Sequence, residues 1–151
     1  MLRKVKWVKN EKDIPAHDIK VTSGAFMPFN NTIYLVKGKT PKYVEYHELF
    51  HAQKRHPLKA KSPLHHAEME IEATIYAYKQ TGHPHHMLGT LGGICRDLVI
   101  NYHVSASRAA QIINHALIKS HAPDAWRRDL AELKSDISKG YWAGVGKEGK
   151  K

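Results

Sequence analysis

The stretch KYVEYHELFH at residues 42–51 is the most informative part of the chain, because it contains the pattern His-Glu-x-x-His. In a helix, His47 and His51 stand one turn apart on the same face, so both imidazoles can reach a single ion. Neutral imidazole is a good zinc ligand, and Glu48 is offset enough to miss the ion yet reach a water beside it. The pattern therefore predicts metal-assisted hydrolysis, with Glu48 as the general base.

The alternative is a pair of solvated histidines. The chain contains 12 histidines in 151 residues, and such a composition produces the pattern by chance more often. The neighbouring residues favour the helical interpretation, because Pro41 suits a helix start and Leu49 and Phe50 supply apolar packing. Pro57 then ends the segment just after His56. We therefore expect a metal-binding helix here.

A second helix is predicted from about Pro63 to Gln80, and it carries Glu68, Glu70 and Glu72. At about 100° per residue, Glu70 shares a face with small side chains, whereas the other two glutamates point the opposite way. Small side chains permit the close approach of a neighbouring helix, which a carboxylate needs in order to reach a metal held there. We therefore expect Glu70 to be the third ligand and the other two to be solvated.

Together, the two helical patterns resemble the gluzincins, and most closely the ImmA/IrrE group of small metallopeptidases. The resemblance is carried by HELFH at residues 47–51 and by EIEATIYA at residues 70–77, which has the form Glu-x-Glu-Ala-x-x-aromatic-Ala. In that group the first Glu of the second motif completes the zinc site, which implies the same role for Glu70. Thr74 stands where the motif usually has Asn or Asp. The resemblance covers roughly residues 30–80 and implies a zincin-like fold with one Zn²⁺ per chain.

The resemblance also implies a kind of substrate. Enzymes of the ImmA/IrrE group are associated with cleaving DNA-binding repressors encoded alongside them, so we expect limited proteolysis of one specific regulator. The best strand pattern, at residues 32–36, ends shortly before the metal-binding helix and is expected to border its cleft. If that strand is a sheet edge, Ile33, Tyr34 and Leu35 would pair with a protein substrate bound in extended form.

Peptide hydrolysis needs a group that stabilises the negatively charged oxygen of the transition state. The candidates in this chain are Tyr76, Tyr78 and His103, and the sequence does not choose among them. Each has a packing role as its alternative. The metal itself is expected to polarise the scissile carbonyl and to lower the pKa of the attacking water.

The remaining patterns predict an α+β fold with a small amino-terminal sheet, the metal-binding helix, the glutamate helix and a helical carboxy-terminal half. Lys4 to Val8 alternates as a strand does. Residues 98–118 have a helix-turn-helix-like pattern, which suits core packing as well as DNA reading. A last amphipathic helix should run from Pro123 to about Ser138. We expect a single domain over residues 1–140 and a flexible basic tail over residues 141–151.

The chain has 24 Lys and Arg against 14 Asp and Glu, a formal charge of +10. Such a charge attracts nucleic acid or acidic surfaces, but here it is scattered and lacks interleaved aromatic residues, so at most weak nucleic-acid contact is expected. No apolar run is long enough to cross a membrane, which favours a cytoplasmic protein. Cys95 is expected to be a small buried side chain. The histidines from His83 to His86 suit an exposed loop, with adventitious metal binding as the alternative.

Two other functions stay open. One is a zinc-containing regulatory or nucleic-acid-binding protein without peptidase activity, and the other is a zinc hydrolase with a non-peptide substrate. A carboxylate beside a ligand, as Glu48 is, favours catalysis, because a purely structural zinc site does not need one.

Overall fold

The computed structural model describes residues 4–15, 24–38, 42–57, 59–82 and 87–145. It has an α+β architecture in which a three-stranded sheet is followed by five helices. In chain order the elements are β1 (Lys4–Val8), β2 (Gly24–Met27), β3 (Thr32–Val36), α1 (Lys42–Lys54), α2 (Pro63–Thr81), α3 (Met87–Tyr102), α4 (Ala106–Lys119) and α5 (Asp124–Ser138), with short 3₁₀ helices at Glu11–Asp13 and Pro28–Asn30.

The sheet has the order β1-β3-β2, with β1 parallel to β3 and β2 antiparallel to it. The central strand β3 is therefore hydrogen-bonded on both sides, and all five of its residues are buried. An uninterrupted apolar and β-branched run such as TIYLV is typical of a strand covered on both faces. Substrate pairing along Ile33, Tyr34 and Leu35 would require β3 to be an edge strand. Because β3 is central, that prediction is wrong.

Each face of the sheet carries its own apolar cluster, because neighbouring side chains of a strand point to opposite sides. On one face, Phe26, Ile33 and Leu35 pack against Leu49 and Ala52 of α1. On the other face the cluster consists of Val8, Ile14, Ala25, Met27, Tyr34 and Val36. This arrangement places α1, and with it the predicted ligands, directly on the sheet.

Gly24 marks the closest approach between β2, its neighbouring strand and α1. A Cβ added at Gly24 would lie 3.1 Å from the carbonyl oxygen of Tyr34 and 3.4 Å from Cγ1 of Val44. The sequence around Val21 to Gly24 is ambiguous, and β2 was not predicted from it. A four-residue strand forms here because β3 and α1 offer it a partner and a surface.

By its pattern of contacts the chain divides into two compact units. The first comprises Met1–Ala60 and Glu72–His83, and the second comprises Lys61–Ile71 and Pro84–Lys151. Helix α2 contributes residues to both. The expected single domain over residues 1–140 stays a prediction.

Within the second unit, α3, α4 and α5 pack against one another in pairs. Their buried side chains are mainly apolar, with Trp126 the largest. Helix α3 runs without interruption through Gly92 and Gly93. The other buried side chains of these three helices include Leu91, Ile94, Cys95, Leu98, Ile113, Leu117, Leu130 and Leu133.

The helix ends follow the local sequence signals. Ser62 caps α2, since its Oγ accepts the backbone N–H of His65 at 3.1 Å. The turn between α3 and α4 contains His103 in the left-handed conformation, with φ of 58°. Ser105 then caps α4, as predicted, by accepting the backbone N–H of Arg108 at 3.1 Å.

Cys95 is fully buried and not bonded to another cysteine, as expected for a small core side chain. Burial raises the pKa of its thiol from 9.0 to about 12. No helix in the described part of the chain is long and apolar enough to cross a membrane. The predicted histidine loop from His83 to His86 and residues 146–151 of the predicted tail lie outside the described residues.

Candidate metal centre

The two histidines of α1 converge as the spacing predicts. Nε2 of His47 lies 3.0 Å from Nε2 of His51, and the two ring centroids are 4.7 Å apart. One turn of helix separates the residues, so their rings approach each other from consecutive turns. His51 is buried, and His47 is partly buried.

Glu70 completes the group. One ligand atom each from His47, His51 and Glu70 lies within 4.8 Å of the others, so this group, found among the described residues, could hold a metal ion. Helix α2 is continuous across Ile71 and Glu72, so Glu70 is held one turn before Thr74. The structure thus brings together the three ligands that the sequence predicts.

The donor set fits zinc. Two imidazole nitrogens and one carboxylate oxygen are ligands that Zn²⁺ accepts, and three protein ligands leave a fourth position open. With Zn–N bonds of about 2.0–2.1 Å, tetrahedral coordination places two nitrogens about 3.3 Å apart. The distance of 3.0 Å between the Nε2 atoms of His47 and His51 is close to that value. The group can therefore hold a metal ion with little movement of the rings.

Thr74 supports the first histidine. Its Oγ1 lies 3.2 Å from Nδ1 of His47, the ring nitrogen that does not face His51. The residue that departs from the family motif is therefore buried beside a predicted ligand and can accept a hydrogen bond from it. The hydroxyl oxygen of Thr74 can accept this hydrogen bond, as the side-chain oxygen of an Asn or Asp at the same position could.

The second histidine has a partner that the sequence reasoning missed. Nδ1 of His51 lies 2.9 Å from Nδ1 of His56, and the two rings meet at 65° with centroids 5.2 Å apart. His56 follows the end of α1 and also packs against the ring of Phe50, at a centroid distance of 5.8 Å. The sequence feature that could have identified His56 is its place directly before Pro57, the residue that ends the helical segment.

Glu48 is buried, with 7% of its surface exposed. It follows His47 directly in α1, so its carboxylate is offset by about 100° from that ligand around the helix axis. Carboxylates are seldom buried without a compensating interaction, because leaving water costs free energy. Proton transfer at this centre would require a carboxylate within hydrogen-bonding reach of a metal-bound water, and Glu48 is the candidate for that role.

The other glutamates of α2 differ in their surroundings. Glu72 is exposed, as predicted. For Glu68 the prediction of a solvated side chain is wrong: only 15% of it is exposed, and it forms an ion pair with Nζ of Lys119 at 3.1 Å. The helical face alone did not reveal this partner, because Lys119 lies 51 residues further along the chain.

The three candidate oxyanion stabilisers are in different settings. Tyr76 packs against the aromatic rings of Phe50 and Tyr46, with centroid distances of 5.3 Å and 6.4 Å. Tyr78 is partly buried, and His103 is exposed in the turn before α4. Tyr76 is thus in contact with the helix that carries His47 and His51.

Comparisons of the chain with protein-family models, with curated proteins and with solved structures each find no match.

Proposed function

We propose that this protein is a zinc-dependent peptidase of the gluzincin type, related to the ImmA/IrrE group. The observation that carries the proposal is the convergence of His47, His51 and Glu70, with the buried Glu48 next to the first ligand. A structural zinc site would use a fourth protein ligand, whereas the group found in the described part of the chain supplies three. The placement of Glu70 on the second helix supports the proposed relation to this group, whereas Thr74 departs from its motif.

The residues divide the chemistry among them. When bound, zinc supplies a Lewis acid that polarises the scissile carbonyl and lowers the pKa of the attacking water. Glu48 accepts the proton of that water and passes it to the leaving amine. Two neutral imidazoles and the single carboxylate of Glu70 would leave a net charge of +1 at the metal, which favours the developing oxyanion. Tyr76 is the candidate to donate a further hydrogen bond to that oxygen.

The substrate is proposed to bind in extended form along β2 instead of β3. Among the described residues β2 is an outer strand of the sheet, and it packs against α1. Main-chain pairing with an outer strand aligns a peptide without requiring a particular sequence. Such pairing suits exposed loops or linkers, and the resemblance to the ImmA/IrrE group makes a specific protein regulator the expected target, cut in the compartment that the sequence favours, the cytoplasm.

The proposal is tested by comparing the wild type with Glu48→Gln. Both proteins should contain about one zinc per chain by metal analysis, because neither histidine is altered. Cleavage of a candidate regulator, followed by mass spectrometry of the new termini, should fall about 10²–10⁴-fold in the variant, since the proton acceptor is lost. Glu45→Gln, on the same helix, where the partly buried carboxylate pairs with Nζ of Lys42 at 3.1 Å, is the matched control and should cleave normally. Equal turnover of Glu48→Gln and wild type would exclude Glu48 as the base.

A second candidate function is binding of duplex DNA by α4. Helices α3 and α4 are joined by a three-residue turn, and the exposed side of α4 carries Ser107, Arg108, Gln111 and His115. The second helix of such a pair can enter the major groove, where Arg and Gln read base edges. No acidic residue occurs from position 98 to 123, so this surface would not repel phosphates.

Filter binding of a random duplex at two salt concentrations tests this second function. Arg108→Ala should weaken binding and reduce its salt dependence, because one phosphate or base contact is lost. Glu132→Ala on α5, which removes an exposed acidic side chain, is the control and should not weaken it. Retention by the filter that is equal for wild type and Arg108→Ala would argue against this role of α4.

A further inference from the structure

The end of α1 brings His56 back onto His51. Arg55 adopts the left-handed conformation, with φ of 54°, and its N–H donates to the carbonyl of Ala52 at 3.2 Å. The N–H of His56 donates to the carbonyl of His51 at 2.9 Å. These two bonds form a Schellman motif, in which the last residue commonly makes an apolar contact with the residue five positions earlier. Here both positions are histidines, and their Nδ1 atoms lie 2.9 Å apart.

We propose that His56 is a positioning residue of the metal centre, a role that rests on the metal site of the proposed function. A ligating Nε2 of His51 keeps its lone pair for the metal, so the proton of this imidazole must be on Nδ1. That N–H then donates to Nδ1 of His56, which accepts because its own proton is on Nε2. His56 thereby selects the tautomer of His51 that binds metal and fixes the orientation of its ring.

The geometry around His56 suits this role. The ring of Phe50 packs on it at 55°, which limits the rotation of its side chain. The other ligand has an equivalent support, since Oγ1 of Thr74 lies 3.2 Å from Nδ1 of His47. Each histidine ligand is thus held at the ring nitrogen away from the metal, one by α2 and one by the end of its own helix. Such partners contribute about 10–100-fold to metal affinity.

The test is a zinc titration in competition with a chromophoric chelator, using wild type, His56→Phe and His56→Asn. Phe keeps an aromatic ring beside Phe50 and removes the acceptor, so the zinc Kd should rise about 10–100-fold. In Asn the amide oxygen is bonded to Cγ, as Nδ1 is in histidine, so it can accept the same hydrogen bond and should restore much of the affinity. Lys54→Ala, an exposed change in the same turn, should bind zinc as the wild type does.

Thermal unfolding of the metal-free proteins separates positioning from packing. The midpoint of His56→Phe should stay near that of the wild type, because the ring packing is kept while zinc affinity falls. If His56→Phe does not fold, His56→Ala takes its place, and His56→Asn should bind zinc about tenfold more tightly than His56→Ala.

The possible failures are distinct. Wild-type protein that binds no zinc would overturn the proposed function itself. Wild-type protein that binds zinc, together with equal affinity in His56→Phe, or in His56→Ala and His56→Asn, would overturn the role of His56 and leave the metal centre intact.

Discussion

The candidate metal centre and the helical layer formed by α3, α4 and α5 bury different kinds of side chain. Around the metal centre, Glu48, His51 and Thr74 are all at least nine-tenths buried. In the helical layer the buried side chains are mainly apolar, from Leu91 to Leu133. Polar burial costs free energy unless it is compensated, whereas apolar burial stabilises the fold. The first region thus buries several polar side chains and the second mainly apolar ones, so substitutions in the two regions should have different effects.

The largest effect is expected from loss of a metal ligand. His51→Ala and Glu70→Gln should each reduce zinc affinity by more than the roughly 10–100-fold that a supporting residue contributes, because a direct bond to the metal is lost. Metal analysis after dialysis measures this. Glu72→Gln, an exposed change on the same helix, is the control and should keep about one zinc per chain, as should Glu68→Gln. Full occupancy in Glu70→Gln would show that the third ligand lies elsewhere.

Substitutions of buried residues in the helical layer should lower the free energy of unfolding. Leu98 is fully buried in α3, so Leu98→Ala should lower the free energy of unfolding by about 2–5 kcal/mol through lost burial and the cavity left behind. Chemical denaturation monitored by circular dichroism measures the change. Ile118→Ala is the matched control, because Ile118 is 51% exposed and its truncation should cost within about 0.5 kcal/mol. Similar losses in both variants would contradict the assigned core.

Cys95 offers a probe of the same layer without a substitution. Because it is buried and its pKa is raised to about 12, Ellman's reagent at pH 8 should modify it slowly in the folded protein and rapidly in denaturant. The raised pKa has a second consequence. Above about pH 9 the unfolded chain ionises this thiol and the folded chain does not, so stability should fall as the pH rises, and less steeply in Cys95→Ala. Rapid modification under native conditions would contradict its burial.

The smallest effect is expected at the end of α1. Arg55 occupies the left-handed region at a cost of about 1–2 kcal/mol, which glycine does not incur. Glycine loses about 0.5–1 kcal/mol more conformational freedom on folding, so Arg55→Gly should stabilise the protein by about 0.5–1 kcal/mol. Thermal unfolding monitors the gain. Gln53→Gly, in the helical part of the same turn, should instead destabilise. A lower midpoint for Arg55→Gly would show that the Arg side chain contributes more than its backbone strain costs.

The sequence by itself determined the elements and residues whose signals are local. The strands β1 and β3, and the helix end at Ser138, have the bounds that the patterns predict. The pairing of His47 and His51 follows from the helical repeat alone, and the choice of Glu70 over its neighbouring glutamates follows from the face it occupies. Periodicity and capping act within a few residues, so a single chain segment carries all the information that they need.

Tertiary structure decided the relations between residues that are distant in the sequence. The central position of β3, the formation of β2 and the ion pair of Glu68 depend on partners that no local pattern specifies. Thr74 supports His47 only because α2 packs there, 27 residues away. Even His56, five residues from His51, required the left-handed turn at Arg55 to bring the two rings together. Spacing selects which residues can bind a metal, and packing selects which residues hold them in place.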